Sequence, residues 1–118
     1  LIWSKTLLEV VSDDHPELRA TLFAIGLAQI FTNSSDQAVF TFRRLKMNFP
    51  DAAESFFGLA LAYIKLNEFD QLARMYDELR KRAPELAEIA IRLSEIENFT
   101  AADYASEMEL LDDKESFS

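Results

Sequence analysis

Cysteine is absent from this chain, and only two glycines and three prolines punctuate its 118 residues. Without cysteine there is no disulfide framework and no thiol chemistry, and a helical fold needs neither, so the redox compartment stays open. So little turn material excludes a many-stranded β fold, and long stretches free of glycine and proline favour helices. Basic residues are also scarce. Twelve Lys and Arg face 21 Asp and Glu, a formal net charge of −9. Nucleic acids and anionic membrane surfaces both require a basic footprint, so neither is an expected partner. No apolar run approaches the roughly 20 residues needed to span a bilayer. No secretory signal is visible, and a cytoplasmic protein is the expectation. One histidine and no glycine-rich phosphate loop leave no catalytic constellation. The chain is therefore not expected to be an enzyme, and no cofactor or metal is expected. What is present is 49% hydrophobic and 28% charged sequence, enough for one folded all-α domain.

The three prolines, Pro16, Pro50 and Pro84, stand 34 residues apart, and the residues between them repeat with them. Leu22, Ile25, Gly26, Ala38, Phe42 and Leu45 fall in register with Phe56, Leu59, Ala60, Leu72, Tyr76 and Leu79. A fixed period with large apolar and small residues in register is the mark of stacked helical hairpins.

Local signals divide the chain accordingly. Residues 1–11 suit a short amphipathic helix, which Ser12-Asp13-Asp14-His15-Pro16-Glu17 stops and restarts. A helix to about Phe31 or Thr32 follows, then Asn33-Ser34-Ser35-Asp36, where Ser34 and Gln37 have capping-box spacing for a helix to Asn48. Asp51 and Glu54 repeat that spacing before a helix from about Ala52 to Leu66. After a tight turn at Asn67 come helices from about Glu68 to Arg82 and from Pro84 to about Glu97. Thr100 and Asp103 could cap a last helix to Leu111, with residues 112–118 as an acidic tail. The segment 101–118 holds six acids against Lys114 alone. The basic clusters Arg43, Arg44, Lys46 and Arg80, Lys81, Arg82 close helices, where cations suit the negative end of the dipole.

This pattern resembles the tetratricopeptide repeat. Residues 53–70, with Tyr76 and Pro84, match its helix A, turn and closing proline, departing at Leu72 and Leu79, where the family prefers alanine. Residues 19–50 are a looser copy, with Gln29 and Ser35 out of pattern. The resemblance implies a right-handed superhelix of antiparallel helix pairs within residues 1–111: a leading helix (1–15), two repeats (19–50 and 53–84) and terminal helices (87–111). A chain that opens midway through a repeat is expected of a piece of a longer repeat protein. More weakly, its size, acidity and apolar groove are similar to those of small repeat-type chaperones of bacterial type III secretion.

In such an array the A helices line a concave groove. Family register places Phe23, Leu27, Ile30 and Phe31 there from the first full repeat. Phe57, Leu61, Ile64 and Lys65 come from the second, and Ile91, Glu95 and Phe99 from the terminal segment. Phe23 and Leu27 occupy positions where the chaperone-tail clamp of the family uses polar residues, which disfavours a carboxylate clamp. An apolar groove suits an amphipathic helix of a partner protein, read through anchors at i, i+3, i+4 and i+7. Two alternatives compete. The chain could fill its own groove with Tyr104, Met108, Leu110 and Leu111, or two copies could pair through it as a homodimer. Asp13-Asp14-His15 reads as a helix cap rather than a metal corner.

Overall fold

The structure, a computed structural model, describes the backbone of residues 16–117 and the side chains of residues 17–111. The leading helix expected over residues 1–15, and the cap expected at Asp13-Asp14-His15, lie outside the described residues. Six helices follow in order: α1 (Pro16–Phe31), α2 (Ser35–Asn48), α3 (Ala53–Leu66), α4 (Phe69–Arg82), α5 (Pro84–Ser94) and α6 (Ala101–Phe117). There is no strand among the described residues, and the fold is all-α with tetratricopeptide-like stacking of helix pairs. None of these helices is long and apolar enough to cross a membrane.

Asparagine makes the turns. Asn33, Asn67 and Asn98 all have positive φ, at 63°, 58° and 54°. After glycine, asparagine is the residue that best tolerates this left-handed region. At Asn33 the next amide, of Ser34, reaches back to the Gln29 carbonyl at 2.8 Å. Glu68 does the same to the Tyr63 carbonyl at 3.0 Å after Asn67. Both are six-residue C-terminal closures that satisfy carbonyls a helix end would otherwise orphan. Each hairpin therefore closes without a glycine.

The two capping boxes expected at Ser34/Gln37 and Asp51/Glu54 do not form. Helix α2 begins without a side-chain cap bond, and the N-cap of α3 is Ala52. Ser34 sits inside the Asn33 closure, and Glu54 instead faces Arg19 of α1 at 3.3 Å. The third box does form. The Asp103 carboxylate accepts from the Thr100 amide at 2.9 Å, and the Asp103 amide donates to Thr100 Oγ1 at 3.3 Å. That helix then runs on past Leu111, through the residues read as an acidic tail, to Phe117. Helix α5 ends earlier than expected, at Ser94, because its last bonds tighten to three-residue spacing. Glu95 donates to Arg92 and Ile96 to Leu93.

Helix α3 is the hub. Its residues 55–63 are all buried, the signature of a helix with neighbours on every side. It touches α2 and α4 along the chain and α1 and α5 across the stack. Helices α1, α3 and α5 thus form an inner layer, with α2 and α4 outside. The repeat register carries into the core: Leu22 and Phe56, Gly26 and Ala60, and Leu45 and Leu79 are buried pairs. Ile25 is exposed where its counterpart Leu59 is buried, because α1 has a described neighbour on one side only. Ala73, a small residue next to Leu72 on α4, is exposed and takes no part in this packing.

The small residue that matters instead is Gly58. Both glycines of the chain, Gly26 and Gly58, lie against the fully buried ring of Phe42, so that α1 and α3 close on α2 from two sides.

Candidate functional site

A connected run of aromatic rings crosses the inner face, from α1 and α3 to Phe99 and α6. Phe23 packs on Phe42 at 5.8 Å between centroids and stacks on Phe57 at 6.4 Å. Phe57 meets Tyr104 of α6 at 6.1 Å, and Tyr104 meets Phe31 at 5.9 Å. Phe31 and Phe99 meet edge to face at 6.0 Å. These spacings lie in the favourable range for aromatic pairs. The run begins in the core of the first hairpin and ends in the segment that leads into α6.

Lys65 holds that segment. Its ammonium lies 4.1 Å from the centroid of the Phe99 ring, donates to Asn98 Oδ1 at 3.0 Å, and donates to the Phe99 carbonyl. Burial lowers the Lys65 pKa, and the nearby Asp103 carboxylate opposes that shift. Asn98 in its left-handed turn, Phe99 anchored in the core and the Thr100–Asp103 box together fix the direction in which α6 departs. Farther along, Arg92 Nε of α5 and Glu107 Oε1 of α6 meet at 2.7 Å.

Helix α6 presents Tyr104, Met108 and Leu111 to the inner face, all half-buried against the core. These positions are i, i+4 and i+7, one side of a helix. Leu110, six residues after Tyr104, falls on another side and is 55% exposed. Burial pushes the Tyr104 phenol up to about 12.

Against this geometry the expected groove residues divide into two sets. Phe23, Leu27, Phe31, Ile64, Lys65 and Ile91 are half-buried on the inner layer. Ile30, Phe57 and Leu61 are buried, Phe57 with 1% of its surface exposed. Phe23, Phe31 and Phe57 are brought together through their rings, and Lys65 joins them through Phe99. Glu95 is exposed and Phe99 buried. Of the four residues expected to cover the inner face if the chain filled its own groove, Tyr104, Met108 and Leu111 pack against the core and Leu110 is exposed. Among the described residues no group of three or more histidine, cysteine, aspartate or glutamate side chains is arranged to hold a metal ion.

Comparison with known proteins bears on the same helices. A search of curated proteins and of solved structures found no match. Residues 54–85 match the family model of the tetratricopeptide repeat. They span nearly all of α3, all of α4 and the proline that opens α5, the helical pair at the centre of the stack. The tetratricopeptide repeat is in general a protein–protein interaction unit, and the residues similar to it here are the hub of the fold.

Proposed function

We propose that this chain is a protein-binding module whose inner, concave face takes an amphipathic helix, and that α6 is the occupant it carries in cis. One observation supports the reading above others: Tyr104 of α6 docks against both Phe31 and Phe57, the aromatics of two successive inner helices. A helix already occupies the surface on which a partner helix would lie, anchored at i, i+4 and i+7 as helix-in-groove ligands are. Its grip is moderate. Its three anchors are half-buried, so each contributes only part of the roughly 1.5–3 kcal/mol of a fully buried side chain. A short tether raises the effective concentration of α6 to the millimolar range. A partner helix must therefore bind more strongly than α6 to replace it. In its narrower form this reading is chaperone-like: the face shields the apolar side of a partner's helix until that helix reaches its own site.

The test uses a labelled peptide of residues 98–117 added in trans. A Tyr104→Ala/Met108→Ala variant, with its own α6 loosened, should bind it at least about tenfold more tightly than the parent chain, a 1.4 kcal/mol difference. Equal binding by the two proteins would remove the reading.

Self-association is a second reading, favoured by a different surface. Phe40 and Met47 on the outer helix α2 are 70% and 82% exposed and seven residues apart, hence on one side of the helix. A pair of copies joined there would dissociate in a Phe40→Glu/Met47→Glu variant, as read by sedimentation velocity.

A further inference from the structure

The outer helices α2 and α4 do not close on each other as the inner ones do, and a cleft of about 590 Å³ opens between them, beside the start of α3. Its charge is opposite to that of the chain. Lys46, Arg74, Lys81 and Arg82 line it against Asp77 and Glu78, so four cations face two acids in a protein of net charge −9.

The cations are arranged rather than merely adjacent. The ring of Phe56, buried at the cleft floor, carries Arg82 at 4.5 Å and Lys46 at 5.2 Å from its centroid. Stacking on an aromatic face restrains both side chains while leaving their charge available. Glu78 shows how the cleft treats a carboxylate. It is bound by Arg82, and Lys81 lies 3.8 Å from its other oxygen. Its pKa is lowered, first by the Arg82 hydrogen bond, with Lys81, Arg82 and Lys46 adding their charge. Asp77 is turned to Arg80 at 3.3 Å. Arg74 makes no ion pair or hydrogen bond among the described residues.

We propose that this cleft docks an acidic segment of a partner polypeptide, whose carboxylates extend the contact that Glu78 already makes by engaging Arg74, Lys46 and Lys81. The site lies on the outer layer and is independent of the inner face, so a partner helix and an acidic segment can be held together. Charge complementarity selects the occupant: the chain's net charge is −9, and this cleft gathers four cations around a restrained set of donors.

The probe is a fluorescently labelled peptide of glutamates, six residues long, added to the full chain at low ionic strength and followed by anisotropy. Arg74→Glu should weaken binding by about tenfold or more, while Arg44→Glu, the same charge change on an exposed residue outside the cleft, should change it by less than about twofold. Both variants should keep the parent's helical circular dichroism, and added salt should weaken the parent's binding steeply. Lys46→Gln, which removes the charge without reversing it, should give an intermediate loss. Equal losses in Arg74→Glu and Arg44→Glu, or no binding by the parent at low salt, would overturn the proposal. So would self-association of the chain alone that Arg74→Glu abolishes, since the occupant would then be a second copy.

Discussion

A Cβ built on Gly58 would sit 2.3 Å from the ring of Phe42, closer than two carbon atoms can approach without one of them moving. Gly26 meets the same ring from α1, again at 2.3 Å. Phe42 is fully buried, so its ring cannot swing out to solvent. Gly58→Ala should therefore destabilise the fold by about 1–3 kcal/mol through overpacking, against a gain of about 1 kcal/mol in helix propensity. Denaturant unfolding reads the balance. Adding Phe42→Leu should recover part of the loss, because the two substitutions share one space. A more stable Gly58→Ala protein would show that α1, α2 and α3 do not pack as described.

Phe57 is the wrong residue with which to probe binding, although it stands on the inner face. With 1% of its surface exposed it belongs to the core, and Phe57→Ala should cost about 3–5 kcal/mol. Loss of partner capture in such a variant would report unfolding. Phe31, half-buried and touching both Tyr104 and Phe99, is the better probe. Phe31→Ala should keep most of the parent's helicity while increasing binding of a hydrophobic dye. A cooperative loss of circular dichroism at ambient temperature would place Phe31 in the core as well.

Tyr104 supplies a pH dependence. Its folded pKa of about 12 lies above the ordinary value of 10.0, so below pH 10 its contribution to stability is fully present. As pH rises from about 10 through about 12 the unfolded or undocked tyrosine ionises first, and the contribution is lost. Undocking of α6 should thus grow across that window in the parent and be absent as a distinct step in Tyr104→Phe. Indistinguishable alkaline transitions in the two proteins would contradict the burial of the phenol.

Lys65 ties α3 to the turn that launches α6, through Asn98, the Phe99 carbonyl and the Phe99 ring. Lys65→Ala removes a charged donor from the exposed Asn98 Oδ1 and the part-buried Phe99 carbonyl and should cost about 1–3 kcal/mol. The Arg92–Glu107 pair, whose arginine is exposed and whose glutamate is half-buried, should cost less, about 0.2–1 kcal/mol on Arg92→Ala. Thermal melts rank the two. A larger loss at Arg92 than at Lys65 would mean that α6 is held by its middle rather than by its entry turn.

The helices were legible because proline and asparagine punctuate them at fixed places, Pro50 and Pro84 closing units that Asn33 and Asn67 divide. Caps were less legible. Serine or aspartate at the right spacing forms a capping box only if no other partner claims it, and Arg19 and the Asn33 closure claimed Glu54 and Ser34. The role of Gly58 was hidden for a related reason. The repeat aligns Gly26 with Ala60, but what Gly58 touches depends on how α3 is rotated against α2, which no single-helix pattern encodes. Of the residues expected to line a groove, Ile30, Phe57 and Leu61 are buried in the core, and periodicity cannot say whether a later segment covers the half-buried rest. Helical phase decides that Tyr104, Met108 and Leu111 can reach it and Leu110 cannot.

If α6 is an exchangeable occupant, it leaves the inner face without unfolding of the stack. Native-state hydrogen exchange of the intact chain tests it most directly, because sub-global openings exchange ahead of the core. Amides of residues 104–111 should exchange at least about 100-fold faster than those of residues 59–62 on α3, and their exchange should be insensitive to low denaturant, as a local opening that exposes little surface requires. Equal protection of the two segments, lost together with the same denaturant dependence, would show that α6 is an inseparable part of the core and contradict its role as an exchangeable occupant.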